Sequence, residues 1–476
     1  MAKKKQIELT IEEKLQNALV PKEEQPYKIP SNWCWVRLGN ITQIKGGKRI
    51  PKGTSLLKEN TGYKYIRVTD MKNGTVLNDD IHYISKDIYN KISNYTISKN
   101  DIYITCAGTI GRVGIIPVEF DGANLTENAD KIIIKHINKY LLVKVLSSYI
   151  VQKQIQEVIT TGCQPKLAIK KIEQLKIPLP PINEQQRIVN IIESLFAKLD
   201  KAKELIENTL AQFEQNKMAI LHKAFTGELT AKWRKENNIN NIKDVSYIEK
   251  LPYIVPNGWY WDKLENITIR IVDGDHNPPA KEKEKTSYIM LSAQNIGYSS
   301  FINMDKVRYL SKDNFDKCHK RTCLEDGDIL FSSVGSIGNA MVYREKENDK
   351  ITFQRSVTII KTKINPYYLR YVLLSPYCQQ IFKTESIGTA QKGFYIKQMK
   401  NLIVPVPTIE EQQEIVNILD RLLAKYNKIK NLEQQLEKIE LLKKAILAKA
   451  FRGELGTNNP DEESAENLLK EILAEK

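Results

Sequence analysis

The sequence predicts an α+β protein with an internal pseudo-two-fold repeat: two similar mixed α/β domains with twisted β cores, each followed by a long helix. Three observations lead to this fold class. Motifs recur at a fixed distance along the chain, and short β-branched and aromatic runs alternate with Gly and Asn turns. In two places, apolar residues also keep a heptad spacing over roughly 40 residues.

The repeat is long and covers most of the chain. Glu184-Gln-Gln returns as Glu411-Gln-Gln, 227 positions later, and Trp33-Cys-Trp returns as Trp259-Tyr-Trp, 226 positions later. The motif Ala-Phe-x-Gly-Glu-Leu occurs at 224–229 and again at 450–455. Repeats of solenoid proteins are only about 20–50 residues long. The repeated unit is therefore a whole domain together with its helix.

Composition restricts the classes of protein that the chain can belong to. The 476 residues carry a net charge of +15 and are 41% hydrophobic. No apolar run approaches the ~18 residues of a membrane span, and we expect no signal peptide. Six cysteines in a chain this long do not indicate a disulfide framework, so we expect a cytoplasmic protein. The charge favours a polyanionic partner, although a lysine-rich composition also follows from an AT-biased genome.

Seven segments follow from these patterns. An N-terminal amphipathic helical segment begins at the capping-box pattern of Thr10 and Glu13, and the polar C-terminal tail is expected to be solvated, with a short helix over 465–473 as an option. The predicted order is helical segment 1–25, first domain 26–181, first long helix 182–235, linker 236–251, second domain 252–407, second long helix 408–455 and tail 456–476.

The two domains share their framework but not their loops. Asp101 to Gly111 matches Asp328 to Gly338, whereas the sequence at 45–49 (Lys-Gly-Gly-Lys-Arg) faces Asp-Gly-Asp-His-Asn at 273–277. We also align 67–71 with 290–294. Loops on a rigid scaffold carry specificity, so the two copies are expected to recognise different targets.

Each long helix carries an apolar seam that predicts pairing with another helix. The alternative is that each helix packs only on its own domain, and a heptad pattern by itself leaves the pairing direction open. The seam residues are Ile192, Leu195, Leu199, Ile206, Phe213 and Ile220 in the first helix, and Leu422, Ile429, Leu436, Ile439 and Ile446 in the second.

We expect no catalytic residue and no metal site on this chain. Asn277-Pro-Pro is followed by Ala280 instead of the aromatic residue that stacks on a flipped base, and the Gly-rich segments do not form a phosphate loop. Cys318, His319 and Cys323 give three potential zinc ligands without a fourth. The paired tryptophans at 33, 35, 259 and 261 fit core packing better than base stacking.

The order of these motifs from Pro30 to Leu455, present twice, resembles the DNA-specificity subunit of type I restriction–modification enzymes. The resemblance implies two target-recognition domains, each reading one half of an asymmetric bipartite site in double-stranded DNA. It implies that the two long helices form an antiparallel coiled coil that spaces the halves. It also implies docking of two methyltransferase subunits and two restriction-translocase subunits. These partners would carry S-adenosylmethionine, ATP and magnesium, with no cofactor bound by this chain.

Candidate DNA contacts are polar residues in the loops that differ or flank the Gly-rich turns. For each one the alternative is a solvated surface group. Two other functions stay open at this point: a stand-alone methyltransferase or nuclease with an unrecognised site, and a scaffold that binds only proteins. The candidates are Lys45, Lys48, Arg49, Arg67, Arg112 and Lys166 in the first domain, and His276, Lys281, Gln294, Asn295, Gln354, Arg355 and Lys392 in the second.

Overall fold

The structure is a computed structural model that describes residues 10–159, 165–239, 251–298, 300–346, 350–388, 391–424 and 429–475. The chain divides into two compact units, the first formed by Met1–Ile206 with Glu433–Lys476 and the second by Glu207–Leu432. This division runs through the long helices, so the predicted domain limits stay predictions.

The described residues form both helices and strands. The helices are α1 (Ile11–Ala18), α2 (Leu38–Ile41), α3 (Lys86–Ile92), α4 (Lys139–Leu146), α5 (Tyr149–Val158), α6 (Ile169–Glu173), α7 (Ile182–Phe225), α8 (Ala231–Glu236), α9 (Lys312–Thr322), α10 (Pro366–Leu373), α11 (Pro376–Glu385), α12 (Ile396–Asn401), α13 (Ile409–Ala424), α14 (Ile429–Ala450) and α15 (Ala465–Ala474). The strands are β1 (Cys34–Arg37), β2 (Thr42–Gly46), β3 (Lys64–Ile66), β4 (Met71–Lys72), β5 (Thr75–Val76), β6 (His82–Tyr83), β7 (Thr96–Ile97), β8 (Ile102–Thr105), β9 (Val113–Ile115), β10 (Ala123–Leu125), β11 (Ala129–Ile134), β12 (Lys176–Leu179), β13 (Tyr260–Lys263), β14 (Thr268–Asp273), β15 (Ile289–Leu291), β16 (Arg308–Tyr309), β17 (Ile329–Ser332), β18 (Ala340–Val342), β19 (Ile351–Phe353), β20 (Val357–Thr362) and β21 (Ile403–Val406).

The first domain is built around two four-stranded sheets. One has the strand order β2-β11-β8-β9 and the other β6-β3-β10-β7, and a separate antiparallel pair joins β1 to β12. The central strand β11 places Ile132 opposite Ile44 and Ile102, which gives a β-branched ladder on the buried face. Helices α4 and α5 cover this face, and their apolar residues belong to the same core.

The second domain repeats the main features of this topology. Its larger sheet has the order β14-β20-β17-β18, a three-stranded sheet has the order β16-β15-β19, and β13 pairs with β21 as β1 pairs with β12. Both domains therefore close by joining the Trp-x-Trp strand to the Pro-rich strand before the long helix. The predicted duplication of a mixed α/β domain is confirmed.

A buried glutamate at the start of each long helix joins three segments of its unit. Glu184 accepts hydrogen bonds from Trp33 Nε1 (2.7 Å) and Thr457 Oγ1 (2.8 Å). In the second unit, Glu411 accepts from Trp259 Nε1 (2.8 Å) and from the hydroxyl at 230 (2.6 Å). The residues after the second long helix therefore pack on the first domain, and those after the first long helix pack on the second domain.

The glycine of each Ala-Phe-x-Gly-Glu-Leu motif fits against a proline. Gly227 has φ +79°, and a Cβ there would lie 2.2 Å from Pro256 Cγ. Gly453 has φ +74°, and its Cβ would lie 2.3 Å from Pro30 Cγ. No other residue type satisfies both the backbone conformation and the contact, which explains why this glycine occurs in both copies.

Within the first unit the long helices run antiparallel. Lys203 of α7 pairs with Glu440 of α14 at 3.4 Å, and Asp200 of α7 pairs with Lys443 of α14 at 2.5 Å. Residue numbers rise along one helix as they fall along the other, so the direction that the sequence left open is antiparallel. Phe196 strengthens the contact, because the ammonium of Lys443 lies 5.4 Å from its ring.

The predicted seam faces inward over most of its length. Ile192 and Ile439 are buried, and the other seam residues with described side chains are half-buried. The side chain of Ile429 lies outside the described residues. Within the predicted second long helix (408–455), the structure describes α13 and α14, and residues 425–428 between them lie outside the described residues.

The C-terminal tail was predicted to be solvated, and this prediction is wrong. The optional helix is present as α15, which begins at an N-cap serine, Ser464, and buries Leu468, Leu469, Ile472 and Leu473 in the first core. At its end, Glu475 accepts from His136 Nε2 at 2.9 Å. The i, i+1, i+4, i+5 spacing of these apolar residues was the overlooked signal of a packed helix.

At the other end of the described chain, the predicted capping box is confirmed. Glu13 N–H donates to Thr10 Oγ1, and Thr10 N–H donates to the Glu13 carboxylate at 2.8 Å. None of the described helices combines the length and apolar composition that crossing a membrane requires.

Candidate nucleic-acid interface

Four loops of the first domain meet at one end of its β2-β11-β8-β9 sheet, and we call them the first loop cluster (residues 47–49, 106–108, 126–128 and 165–167). Main-chain hydrogen bonds hold them together: Lys48 N–H donates to the Leu125 carbonyl (2.8 Å), Cys106 N–H to Asn128 (2.8 Å) and Leu167 N–H to Cys106 (2.9 Å). The cluster brings together three exposed candidate residues, Lys48, Arg49 and Lys166.

The corresponding loops of the second domain form the second loop cluster (residues 274–276, 333–336, 354–356 and 392–393). Asp275 N–H donates to the carbonyl of residue 353 (2.7 Å), Arg355 N–H donates to that of Asp275 (2.8 Å), and Ser333 N–H donates to that of Ser356 (2.9 Å). The candidates His276, Gln354, Arg355 and Lys392 all lie in this cluster.

A single glycine sets the shape of each cluster. A Cβ on Gly47 would lie 2.0 Å from the carbonyl oxygen of Thr126, and a Cβ on Gly274 would lie 2.3 Å from that of Phe353. Any side chain at either position would push the loops apart. The two clusters therefore share their backbone frame, while the side chains they present differ.

The structure places the remaining candidates of the first domain outside the centre of the cluster. Lys45 lies within β2, directly opposite Lys131. Arg112 is exposed and donates to the carbonyl of Met71 at 3.2 Å. The guanidinium of Arg67 forms ion pairs within the domain, with Asp70 (2.7 Å) and Asp80 (3.0 Å).

In the second domain, Lys281 and Gln294 are exposed, but Asn295 is not. Asn295 is only 1% exposed, and its carboxamide nitrogen donates to the carbonyls of residues 302 and 303. Its Oδ1 accepts from the Ser292 N–H at 3.0 Å. Both polar atoms of the Asn295 side chain form hydrogen bonds inside the domain and are not available to DNA. The prediction that Asn295 contacts DNA is therefore wrong.

The contacts of Asn295 also correct the alignment of the two domains. Asp70 accepts from the Arg67 N–H at 2.8 Å as Asn295 accepts from Ser292, each residue capping a one-turn 3-10 helix. Residues 67–71 therefore correspond to 292–296, not to 290–294. The sequence alone failed here because the motif has a different residue at every position and is recognised only by its hydrogen bonds.

A buried carboxyl group lies beneath each loop cluster, a feature that the sequence analysis missed. Asp130 of β11 is opposite Gly46, and Asp273 of β14 is opposite Thr358. Burial raises the pKa of Asp130 to about 6 and raises that of Asp273 less, because the Thr358 hydroxyl donates to it at 2.7 Å. The acid occupies the same cross-strand pair in both domains but comes from opposite strands, so no sequence alignment reveals it.

The paired tryptophans and the cysteines near 320 have structural surroundings. All four paired tryptophans are buried, with exposures of 1–6%, as core packing predicted. Cys318 is buried and Cys323 is exposed, and the described residues contain no group of three or more His, Cys, Asp or Glu that is arranged to hold a metal ion.

The duplicated framework of the chain matches a known protein family and a solved structure. The pattern of the type I restriction modification DNA specificity domain matches residues 30–211 and 276–441. A solved structure described as the basis of complex assembly and conformational transition of the type I R-M system covers 90% of this chain and 100% of its own, with a TM-score of 0.61 at 18% identity, which shows a common fold.

Curated relatives extend the match over almost the whole chain. The specificity subunit of type I restriction enzyme EcoBI from Escherichia coli is 33% identical over 65% of this chain and 66% of its own length. That of EcoKI from Escherichia coli K12 is 25% identical over 94% and 96% of the two chains. That of MjaVIII from Methanocaldococcus jannaschii is 24% identical over 92% and 96%. The chain therefore belongs to the family of type I restriction–modification DNA specificity subunits.

Proposed function

We propose that this chain selects the DNA sequence on which a type I restriction–modification enzyme acts, each domain reading one half of an asymmetric, two-part target. As a member of its family it is a non-catalytic specificity subunit. The chemistry of methylation and cleavage belongs to other subunits of the complex in which it assembles with DNA.

One observation carries the proposal: two copies of one framework present different side chains from equivalent loops. Gly47 and Gly274 fix the same loop geometry. The first loop cluster presents Lys48, Arg49 and Lys166. The second presents different side chains at the equivalent loops: His276, Gln354, Arg355 and Lys392. Lysine and arginine bind phosphates, and arginine and glutamine also read base edges in the major groove.

The long helices support a spacing role. A 44-residue helix such as α7 has a length of about 66 Å, and half-sites on one face of B-DNA recur roughly every 34 Å. Two methyltransferase subunits and two restriction-translocase subunits complete the proposed assembly. Those partners bind S-adenosylmethionine, ATP and magnesium.

Mapping methylated adenines in the source genome tests the proposal. We expect a two-part motif with unspecified bases between its halves, and this motif should lose its methylation when the gene for this chain is deleted. Re-introducing the chain should restore the same motif. Methylation that is unchanged by the deletion would refute the assigned function.

A further inference from the structure

Each domain carries the same hairpin beside its loop cluster, directly after the one-turn 3-10 helix. In the first domain, Leu77 N–H donates to the Asp70 carbonyl (2.9 Å), and in the second, Ile302 N–H donates to the Asn295 carbonyl (3.0 Å), 225 positions later. At the tip of the hairpin, this offset places Tyr298 where the first domain has Asn73. The two tips are anchored in different ways.

The first hairpin is bound to the sheet of its own domain. Ile115 N–H of β9 donates to the Gly74 carbonyl at 3.0 Å. Neighbouring Gly114 allows this approach, because a Cβ there would lie 2.4 Å from the backbone of Gly74. The tip therefore rests on β9.

The second hairpin is bound to helices. The guanidinium of Arg370, in α10, lies 4.3 Å from the Tyr298 ring centroid, and it donates to the Tyr298 carbonyl. The ammonium of Lys217, in α7, lies 4.6 Å from the same ring. Two cations and one aromatic ring thus connect the hairpin to a domain helix and to the long helix.

Arg370 is itself held in place firmly. It is only 5% exposed, and its Nε donates to the Ala340 carbonyl of β18 at 3.2 Å. Its guanidinium also lies 4.8 Å from the ring of Tyr371, whose hydroxyl donates to Asp420 of α13 at 2.6 Å. The contacts therefore run from the hairpin to both long-helix segments of the second unit.

The first domain lacks the residues for such a connection. Position 143, which corresponds to 370, is valine, and position 73 is an asparagine with φ 54°. Neither side chain forms a cation–π pair. The connection is therefore a property of the second domain, although the hairpin it anchors is common to both.

We propose that Tyr298, Arg370 and Lys217 are positioning residues that couple recognition of the second half-site to the long helices α7 and α13. The inference rests on the proposed function. Binding of DNA to the second loop cluster and its hairpin would restrain the helices through this contact, whereas binding to the first would not. The second half-site would then be the one whose recognition is transmitted to helix-bound subunits.

Hydrogen exchange of the full-length chain in its assembled methyltransferase tests the coupling. The probes are the mapped target duplex and two duplexes in which only the first or only the second half is altered. In the wild type, we expect the target to slow amide exchange in 207–225 and 409–424, and alteration of the second half to abolish the effect. The variants are Tyr298→Leu and Lys217→Met, with Asn73→Gly at the equivalent first-domain tip as the control.

Tyr298→Leu should abolish the slowing and lower discrimination against the second altered half about tenfold, leaving discrimination against the first unchanged. Lys217→Met, which leaves the hairpin and Arg370 intact, should weaken the slowing, and Asn73→Gly should not change it. If both variants keep the wild-type exchange response, the coupling is wrong even though the proposed function stands. If the wild type does not discriminate among the duplexes, the proposed function itself fails.

Discussion

The indole N–H of Trp33 donates a hydrogen bond of 2.7 Å to the carboxylate of Glu184, a residue that is completely buried. Thr457 and Asn458 complete the environment of this carboxylate at 2.8 and 3.0 Å. A buried carboxylate is stable only with such donors. The C-terminal segment therefore contributes directly to the integrity of the first domain.

Replacing Thr457 with valine should destabilise the first unit by about 1–3 kcal/mol, because a buried acceptor loses its hydroxyl donor without a change in volume. Thr230→Val is the matched change at Glu411 and should lower the stability of the second unit instead. Calorimetry of each variant measures the effect. Equal shifts of every unfolding transition in both variants would contradict the assignment of one buried glutamate and its hydroxyl donor to each unit.

The stability of the first domain should depend on the ionisation of Asp130. Burial raises its pKa from the ordinary value of 3.8 to about 6. The folded state therefore binds the proton more tightly than the unfolded state does, and this contribution is full below about pH 4 and lost as the pH rises through 6. The loss amounts to about 3 kcal/mol.

Asp130→Asn removes the ionisable group while preserving its shape. We expect the variant to be more stable than the wild type at pH 7.5, and the difference to vanish near pH 4, in urea unfolding at both values. Asp273→Asn should show a smaller difference, because Thr358 already stabilises that carboxylate. A stability difference that does not vary with pH would show that the Asp130 carboxyl group is not buried in solution.

Alanine at Gly47 should impair recognition of one half-site, since the Cβ would lie 2.0 Å from a carbonyl oxygen and force the loops apart. Gly274→Ala should impair the other half in the same way. Gly53→Ala is the control: this glycine has φ +81° but open space around it, so only about 1 kcal/mol of backbone strain is expected. Binding to duplexes with either half altered measures each effect. If either loop variant lost recognition of both half-sites, the claim that the two loop clusters act independently would be contradicted.

Salt dependence should separate free cations from internally paired ones. Arg355 is exposed in the second cluster, and Arg355→Ala should reduce the slope of log K against log salt by about 0.9, the value of one phosphate contact. Arg67→Ala should leave the slope unchanged, because Asp70 and Asp80 already neutralise that guanidinium. Titration of a non-specific duplex at several salt concentrations gives the slopes. An equal fall for both variants would mean that Arg67 exchanges its acidic partners for phosphate.

Sequence was sufficient for the features that depend on periodicity and repetition. The heptad seam and the Thr10 capping box follow from short-range patterns, and the duplicated domain follows from motifs that recur about 226 residues apart; the structure contains each of them. It was also sufficient for the tryptophans, whose alternation on a strand indicates a core.

The features that sequence missed depend on contacts between distant segments. Asp130 and Asp273 occupy one structural position from opposite strands, and Arg370 acquires its role only where α10 meets the hairpin. Asn295 was taken for a DNA contact because a polar residue in a variable loop gives no sign of its internal hydrogen bonds. The same limit applies to the DNA contacts that stay predicted.

The central claim is that each domain reads its own half of the target. The most direct measurement is to map methylated adenines in cells whose only copy of this chain carries Gln354→Ala and Arg355→Ala in the second loop cluster. The account predicts that one half of the two-part motif changes or becomes degenerate while the other half and the spacing stay as in the wild type. A change in both halves together, or in the half read by the first domain, would contradict it.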